Sequence, residues 1–296
     1  MSLFVYDSLL GHVPNPGVCG PGFGESFHTI GADGLRTNGT AQVPEGGTVL
    51  AVGDSFTYGD EVTDEQTWPA QLQKILNRPV LNGGVTGYGF DQTVLRAEQL
   101  AARYKPSVII VSFIAHDIER TEMRRMWWRD KPWFSITDDQ LVLKGVPVPQ
   151  RTSLPLKMRQ RLDGLLVDFP PLLQRLVGYN SRVHRRGQGV AISQRLTGRL
   201  AGLRTQEAVK IVVMAQYPPV VWQVPRIANQ QRRMTRAILE AAMSNGLATL
   251  DTFQRLASEP TPLNYYGHAH MNARGNSMIA ALLAAALPAL LNPEDR

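Results

Sequence analysis

A serine and a histidine far apart in the chain could together carry out nucleophilic catalysis. Ser55 follows an apolar run and lies in the motif Val52-Gly53-Asp54-Ser55-Phe56, whereas His270 lies just before a C-terminal apolar segment. A serine at the end of a buried strand presents its hydroxyl beside the start of the next helix, where developing negative charge is favoured. A histidine that opens the last helix can reach back and take the proton of that hydroxyl. The G-x-S-x-G elbow of ordinary α/β hydrolases is absent, because position 57 is threonine.

Two further motifs could supply hydrogen-bond donors to an oxyanion. Asn82 is followed five residues later by Gly87, and a glycine can turn its backbone N–H toward an oxyanion with no Cβ in the way. His116, in Ala115-His116-Asp117, ends the most apolar segment of the chain. A plain glycine turn and a capping role are the alternatives for these two motifs. With the N–H of Ser55, Gly87 and His116 form the predicted oxyanion hole.

The elements that must position these residues alternate between strands and helices. Short apolar segments predict strands, and amphipathic segments between them predict helices. Such alternation favours one α/β domain with a parallel, doubly wound sheet, whose carboxyl edge holds the site. The predicted strands are 48–52, 79–82, 107–114, 209–215 and 248–252, and the predicted helices 63–76, 91–104, 225–244 and one from about 272.

Two regions depart from this alternation, although the whole chain 1–296 is interpreted as one domain. Residues 1–46 are rich in glycine and proline and predict an extended lead-in. Residues 118–206, after the third strand, predict an insertion with a hairpin around Thr137-Asp138-Asp139 and Arg-rich helical stretches. Trp127, Trp128 and Trp133 of the insertion either stack on sugar rings or pack within it.

Composition narrows the classes of partner. The net charge of +6 comes mainly from arginine, but no nucleic-acid-binding motif accompanies it, so no nucleic-acid partner is expected. The single cysteine, Cys19, excludes an intramolecular disulfide.

No signal peptide is visible, which leaves the cytoplasm as the default compartment without fixing it. No membrane span is expected, since the longest apolar run, Met278–Leu291, falls short of about 20 residues and contains a proline. The oligomeric state is left open.

Taken together, the four motifs resemble those of the SGNH (GDSL-like) hydrolase family. Gly53-Asp54-Ser55 matches the first block with its nucleophile, Gly87 the glycine of the second block, and His270 the histidine of the fifth. The resemblance implies a three-layer, flavodoxin-like fold and an acyl-enzyme on Ser55, with no cofactor and no metal. It also implies short acyl esters as substrates, an acetyl group on a carbohydrate being one example.

The sequence departs from the family pattern in two places. In the third block, Gly-x-Asn-Asp, His116 replaces the asparagine and Ile114 the glycine, so an imidazole would replace the amide donor. In the fifth block the family has an aspartate two or three residues before the histidine, where this chain has His268 and Gly267. Asp251 is the expected substitute acid, with Asp54 and Asp117 as weaker candidates; otherwise Ser55 and His270 form a dyad.

Three alternative functions remain open from the sequence. An O-acetyltransferase would pass the same acyl group to a sugar hydroxyl, and a catalytically impaired domain would only bind a carbohydrate or a protein. Gly53-Asp54, His116-Asp117 and Gly267-His268-Ala269-His270 also echo, in order, the motifs of binuclear metallophosphoesterases.

Overall fold

The N-terminal region forms two antiparallel hairpins, where the sequence predicted an extended lead-in. The computed structural model describes residues 2–39, 47–150, 166, 170, 173–174 and 178–291. Leu10, Ile30 and Leu35 are buried, so these hairpins contribute to the core. The four strands are β1 (Phe4–Asp7), β2 (Gly11–Pro14), β3 (Cys19–Pro21) and β4 (Phe27–Thr29).

The central sheet has five parallel strands in the described part of the chain, as predicted. Its spatial order is β14-β13-β7-β5-β6, which is the flavodoxin-like order 2-1-3-4-5 read from the other edge. Because all five strands are parallel, their carboxyl ends meet at one edge. The strands are β5 (Val49–Val52), β6 (Val80–Asn82), β7 (Val108–Phe113), β13 (Lys210–Ala215) and β14 (Ala248–Asp251).

Helices cover both faces of the sheet, which gives three layers. Leu95, Leu196 and Ile238 lie in the core on one face, and Trp68 and Leu283 lie in the core on the other. The helices are α1 (Ser55–Tyr58), α2 (Trp68–Leu76), α3 (Phe90–Tyr104), α4 (Ala115–Arg120), α5 (Gln188–Gln206), α6 (Val220–Gln223), α7 (Pro225–Ser244), α8 (Phe253–Ala257) and α9 (Ala273–Leu291), with 3₁₀ turns at Asp64–Gln66 and Pro262–Tyr265.

The predicted insertion contains both peripheral strands and one core helix. The predicted hairpin is present, with Asp138 and Asp139 at its turn. Helix α5 lies inside the range 118–206, but it buries Ile192, Leu196 and Leu200 against the sheet and precedes β13. Part of the predicted Arg-rich helical stretches, including 151–165, lies outside the described residues. The remaining strands are β8 (Met123–Met126), β9 (Arg129–Asp130), β10 (Trp133–Thr137), β11 (Gln140–Lys144) and β12 (Ser181–Arg182).

Helix α9 begins at Ala273, five residues before the apolar run Met278–Leu291 of the sequence. By length and composition alone its 19 residues would be enough to cross a membrane, whereas the sequence predicted no span. In the structure its buried residues, among them Ile279 and Leu283, pack in the same core as Trp68 and Leu72 of α2.

Candidate active site

Ser55 is the first residue of α1, directly after the turn that ends β5. Asp54 caps this helix, because its carboxylate accepts the N–H of Phe56 at 2.9 Å. A Cβ on Gly53 would collide with the Thr57 hydroxyl and would lie 2.8 Å from the carbonyl oxygen of Ser112. Only glycine therefore lets the turn pass so close to β7. As the first helical residue, Ser55 has a backbone N–H with no acceptor inside the helix.

His270 meets Ser55 across the carboxyl edge of the sheet. Its Nε2 lies 2.8 Å from the Ser55 Oγ, a normal hydrogen-bond distance. The imidazole is held in a tight turn before α9, where the N–H of Gly267 donates to the His270 carbonyl at 2.9 Å. The ring also packs against Phe56, with 5.1 Å between ring centroids. The structure thus brings together the two residues that the sequence paired.

Glu61 is the carboxylate that faces the other nitrogen of His270. Its Oε1 lies 3.0 Å from Nδ1, and the carboxylate also accepts the backbone N–H groups of His268, Ala269 and His270 at 2.8, 2.8 and 3.2 Å. Burial alone would raise the pKa of Glu61, but the hydrogen bonds from His270, Ala269 and His268 outweigh it and lower that pKa. Glu61 is therefore an anion that both orients the imidazole and anchors its loop.

The expected acid, Asp251, does not occupy this position. It ends β14 and is exposed, and its carboxylate accepts the N–H of Phe253 at 2.9 Å instead. Asp117 is buried, and it accepts the N–H of Ile114 at 3.0 Å. Asp54 lies 3.3 Å from the Ser55 hydroxyl. The assignment of Asp251 was wrong, and Glu61 has the position that a third triad member needs.

One arginine bridges the two aspartates beside Ser55. Arg120 Nη1 lies 2.6 Å from Asp117 Oδ1 and 3.3 Å from Asp54 Oδ2, and it also donates to the carbonyl of Tyr88 at 2.9 Å. Burial, and next the charge of Asp54, raise the pKa of Asp117 well above its ordinary value. Ser55 thus lies in a region whose carboxyl groups outnumber its cations.

Of the two further expected oxyanion donors, Gly87 lines not the cavity that contains Ser55 but a second pocket that shares Trp127 with it. Gly87 has a φ of +80°, and a Cβ there would lie 2.7 Å from the ring of Trp127, so both backbone and packing require glycine. His116 lines the cavity that contains Ser55. Burial, and next the charge of Arg120, lower the pKa of His116, which keeps its imidazole neutral. Its Nε2 lies 3.4 Å from the side-chain amide nitrogen of Gln231.

The Ser55 and His270 side chains open into a cavity of about 470 Å³. Of the three tryptophans of the insertion, Trp127 lines this cavity, whereas Trp128 packs edge-on against Tyr179 and Trp133 against His184. Trp127 and Trp128 form the two-residue turn between β8 and β9, both with positive φ, where glycine or asparagine is usual. The other apolar lining residues are Phe23, Phe56, Ile114, Pro218, Pro219, Val220 and Ala269.

The residues that suggested a metallophosphoesterase do not form a metal-binding group. His268 is exposed, and it is the backbone of this residue that binds Glu61. Within the described ranges no group of three or more histidine, cysteine, aspartate or glutamate side chains is arranged to hold a metal ion. His270 is instead engaged by Ser55 and Glu61.

Comparison with known protein families gives a match that includes both Ser55 and His270. The sequence matches the model of the GDSL-like Lipase/Acylhydrolase family over residues 51–278, which is more than half of the chain. No curated protein matches it. The stretch matched runs from the strand that precedes Ser55 to the helix that follows His270.

Solved structures of similar fold share little sequence with this chain. LAE5, an α/β hydrolase from the metagenome of Lake Arreo, Spain, aligns with a TM-score of 0.51 at 14% identity, over 83% of this chain and 97% of that chain. A variant of Axe2, an acetyl-xylooligosaccharide esterase from Geobacillus stearothermophilus, aligns with a TM-score of 0.50 at 14% identity, over 83% and 94%. At this identity the likeness concerns the fold.

Proposed function

The chain belongs to the GDSL-like lipase/acylhydrolase family and is an ester hydrolase, and on that premise we propose that it cleaves short acyl esters through an acyl-enzyme on Ser55. The observation that carries this proposal is the continuous hydrogen-bonded chain from the Ser55 hydroxyl through both nitrogens of His270 to the carboxylate of Glu61. Nucleophile, base and orienting acid are arranged in this way in enzymes that transfer acyl groups through a serine.

In the proposed reaction, Ser55 Oγ attacks the ester carbonyl while His270 Nε2 takes its proton. The tetrahedral oxyanion accepts hydrogen bonds from the N–H groups of Ser55 and Gly87 and from the neutral imidazole of His116. His270 then protonates the departing alcohol, and Glu61 stabilises the imidazolium in the interval. A water molecule then attacks the acyl carbon with His270 again as base, and the carboxylic acid product leaves Ser55.

The electrical character of the site favours an uncharged substrate. Asp54, Asp60 and Glu61 lie within hydrogen-bond or ion-pair range of Ser55 or His270, and the nearest cation, Arg120, is already engaged by two aspartates. Trp127 offers an aromatic surface in the cavity wall, and Asp60 and Gln223 offer polar groups beside it. An acetyl ester of a sugar or another neutral polyol suits such a lining.

Replacement of Ser55 by alanine tests the proposal. The Ser55→Ala protein should lose turnover of p-nitrophenyl acetate and labelling by a fluorophosphonate, with its melting temperature within a few degrees of the wild type. Ser258→Ala, which changes an exposed serine at the end of α8, should retain both activities, and EDTA should leave wild-type turnover unchanged. Undiminished turnover by the Ser55→Ala protein would rule out the mechanism.

A further inference from the structure

A second carboxylate, Asp60, reaches the reacting end of His270. Its side chain is only 3% exposed, yet it borders the cavity. Oδ1 accepts the hydroxyl of Thr86 at 2.5 Å, which fixes the orientation of the carboxylate. Oδ2 lies 4.0 Å from His270 Nε2, the nitrogen that meets the Ser55 hydroxyl.

The position of Asp60 is hard to explain by stability. No lysine or arginine nitrogen lies within 4.0 Å of its carboxylate in the part of the chain that the structure describes. Burial raises the pKa of Asp60 to about 6 against the opposing effects of His270 and Thr86. A buried carboxylate with no cation to pair with weakens a fold when it is ionised. Such a cost is typical of groups that serve a reaction.

The gap between Asp60 and His270 matches the size of one hydroxyl oxygen. At 4.0 Å the two atoms are too far apart to bond directly. An oxygen about 2.8 Å from each atom would accommodate both hydrogen bonds with an angle of roughly 90° between them. A water or alcohol there would lie next to Ser55 Oγ, which is the atom that carries the acyl group after the first half of the reaction.

We propose that Asp60 is a catalytic residue of the deacylation step, where it holds the incoming water or alcohol against His270 Nε2. The inference rests on the proposed acyl-enzyme mechanism. In this step the oxygen of the water forms a bond to the acyl carbon, one of its protons passes to Nε2, and the other stays hydrogen-bonded to Asp60 Oδ2. The bond between the acyl carbon and Ser55 Oγ then breaks, and the proton on Nε2 returns to Oγ.

Acylation has no need of this contact. In the free enzyme Nε2 already has a proton donor, the Ser55 hydroxyl, at 2.8 Å. Only when Oγ is esterified must a new donor be oriented toward Nε2. Loss of the Asp60 carboxylate should therefore slow deacylation and leave acylation almost unchanged. Loss of a group that both steps use would slow acylation and deacylation alike.

Asp60→Asn separates the two half-reactions. Asparagine keeps the shape and the bond to Thr86, but it presents an amide donor where Oδ2 accepted. In stopped-flow experiments with p-nitrophenyl acetate we expect acylation to change less than threefold and deacylation to slow about 10- to 100-fold, as for a misplaced reactant. Acetylated Ser55 should then accumulate and be visible by intact-protein mass spectrometry. Asp138→Asn, at the exposed turn of the β10–β11 hairpin, is the matched control and should alter neither rate.

Two results would overturn the proposal: equal slowing of both steps, or deacylation at the wild-type rate. If the asparagine variant does not fold, Asp60→Ala with added formate provides the same test, since formate should accelerate deacylation alone. No acceleration at any formate concentration would then refute the role of Asp60. Failure of the mechanism itself would be recognised separately, because the wild-type protein would then form no acyl-enzyme on Ser55.

Discussion

Glu61→Gln is the change that most directly tests the site. Glu61 Oε1 receives three hydrogen bonds, from His270 Nδ1 and from the N–H groups of Ala269 and His270, and Oε2 receives the fourth, from His268. Glutamine has one acceptor oxygen, so either orientation of its amide points N–H groups at another donor. The substitution removes the charge that stabilises the imidazolium and at least one bond that anchors the loop.

The expected loss can be bounded from the environment of the carboxylate. Replacing the buried acid of the best-studied serine triad by its amide costs about 10⁴ in kcat. The side chain of Glu61 is 12% exposed, and water reaching it would replace part of the lost interaction. We therefore expect kcat/KM to fall 10²- to 10³-fold, about 3 to 4 kcal/mol at 1.36 kcal/mol for each factor of ten. KM should change less than threefold, because Glu61 lies behind His270.

The assay is steady-state turnover of p-nitrophenyl acetate, with melting temperature as the check on folding. Glu65→Gln, which changes an exposed glutamate four residues farther along, is the matched control and should retain wild-type kinetics. A kcat/KM for the Glu61→Gln protein within threefold of that control would refute the role of Glu61. So would a loss that follows the melting temperature and disappears on cooling.

The family position of the acid provides a rescue experiment. A Cβ on Gly267 would lie against Glu61 Oε2, closer than non-bonded atoms can approach, and its φ is not in the left-handed region. An aspartate at 267 and a glutamate at 61 would therefore claim the same space next to His270. In a Glu61→Ala background, Gly267→Asp should recover at least tenfold of the lost kcat/KM, and Gly267→Asn should recover none. Equal recovery by both would show that volume, not charge, had been restored.

Three further predictions concern neighbouring groups. Asp60→Asn should stabilise the fold by roughly 3 kcal/mol at pH 8 and by much less at pH 4. The reason is that burial raises the pKa of Asp60 to about 6; the charge of Asp54 adds to this increase, and His270 and Arg36 oppose it. Between about pH 4 and 6 the folded wild-type protein binds more protons than the unfolded protein, so its stability falls as pH rises. Urea unfolding of both proteins at pH 4 and pH 8 measures the effect of the substitution, and an equal effect at the two pH values would contradict the prediction. His116→Ala should lower kcat at least tenfold with a smaller rise in KM if the imidazole donates to the oxyanion, and the reverse pattern in steady-state kinetics would count against it. Arg36→Met should destabilise the protein by about 3–5 kcal/mol in urea unfolding, since it leaves Asp64 buried without its cation, and a loss below about 1 kcal/mol would contradict that reasoning.

Much of the fold could be predicted because parallel sheets have a simple sequence pattern. The predicted strand at 107–114 corresponds to β7 (Val108–Phe113), all six residues of which are buried. The helix predicted at 225–244 has those bounds in the structure. Ser55 and His270 could be paired because residues that follow strands of one parallel sheet share an edge.

The acid could not be predicted, because its position depends on a reversal of the backbone. Helix α1 ends after four residues at Gly59, whose φ of +85° turns the chain back. That turn places Asp60 and Glu61 beside the histidine loop, more than 200 residues away in sequence. The only sequence signal for the acid is a pair of acidic residues directly after the glycine that ends the helix of Ser55. The residue types do not encode the direction in which the chain turns at that glycine. Position in the sequence favours Asp251, which ends a strand at the correct edge of the sheet, but its carboxylate accepts the N–H of Phe253 in its own loop.

The N-terminal region takes part in the site through Arg36, which follows β4. Its guanidinium has no exposure and donates to the carbonyl oxygens of Tyr58 and Val62 at 2.6 Å, and also to that of Gly59. These three carbonyls belong to the segment that carries Asp60 and Glu61, in which the Gly59 carbonyl also accepts the N–H of Val62 at 3.3 Å. Arg36 therefore holds the backbone on both sides of the two acidic residues. The position of the proposed acid therefore depends on a residue that precedes the first strand of the sheet, and this explains why a region with no catalytic residue of its own packs against the core.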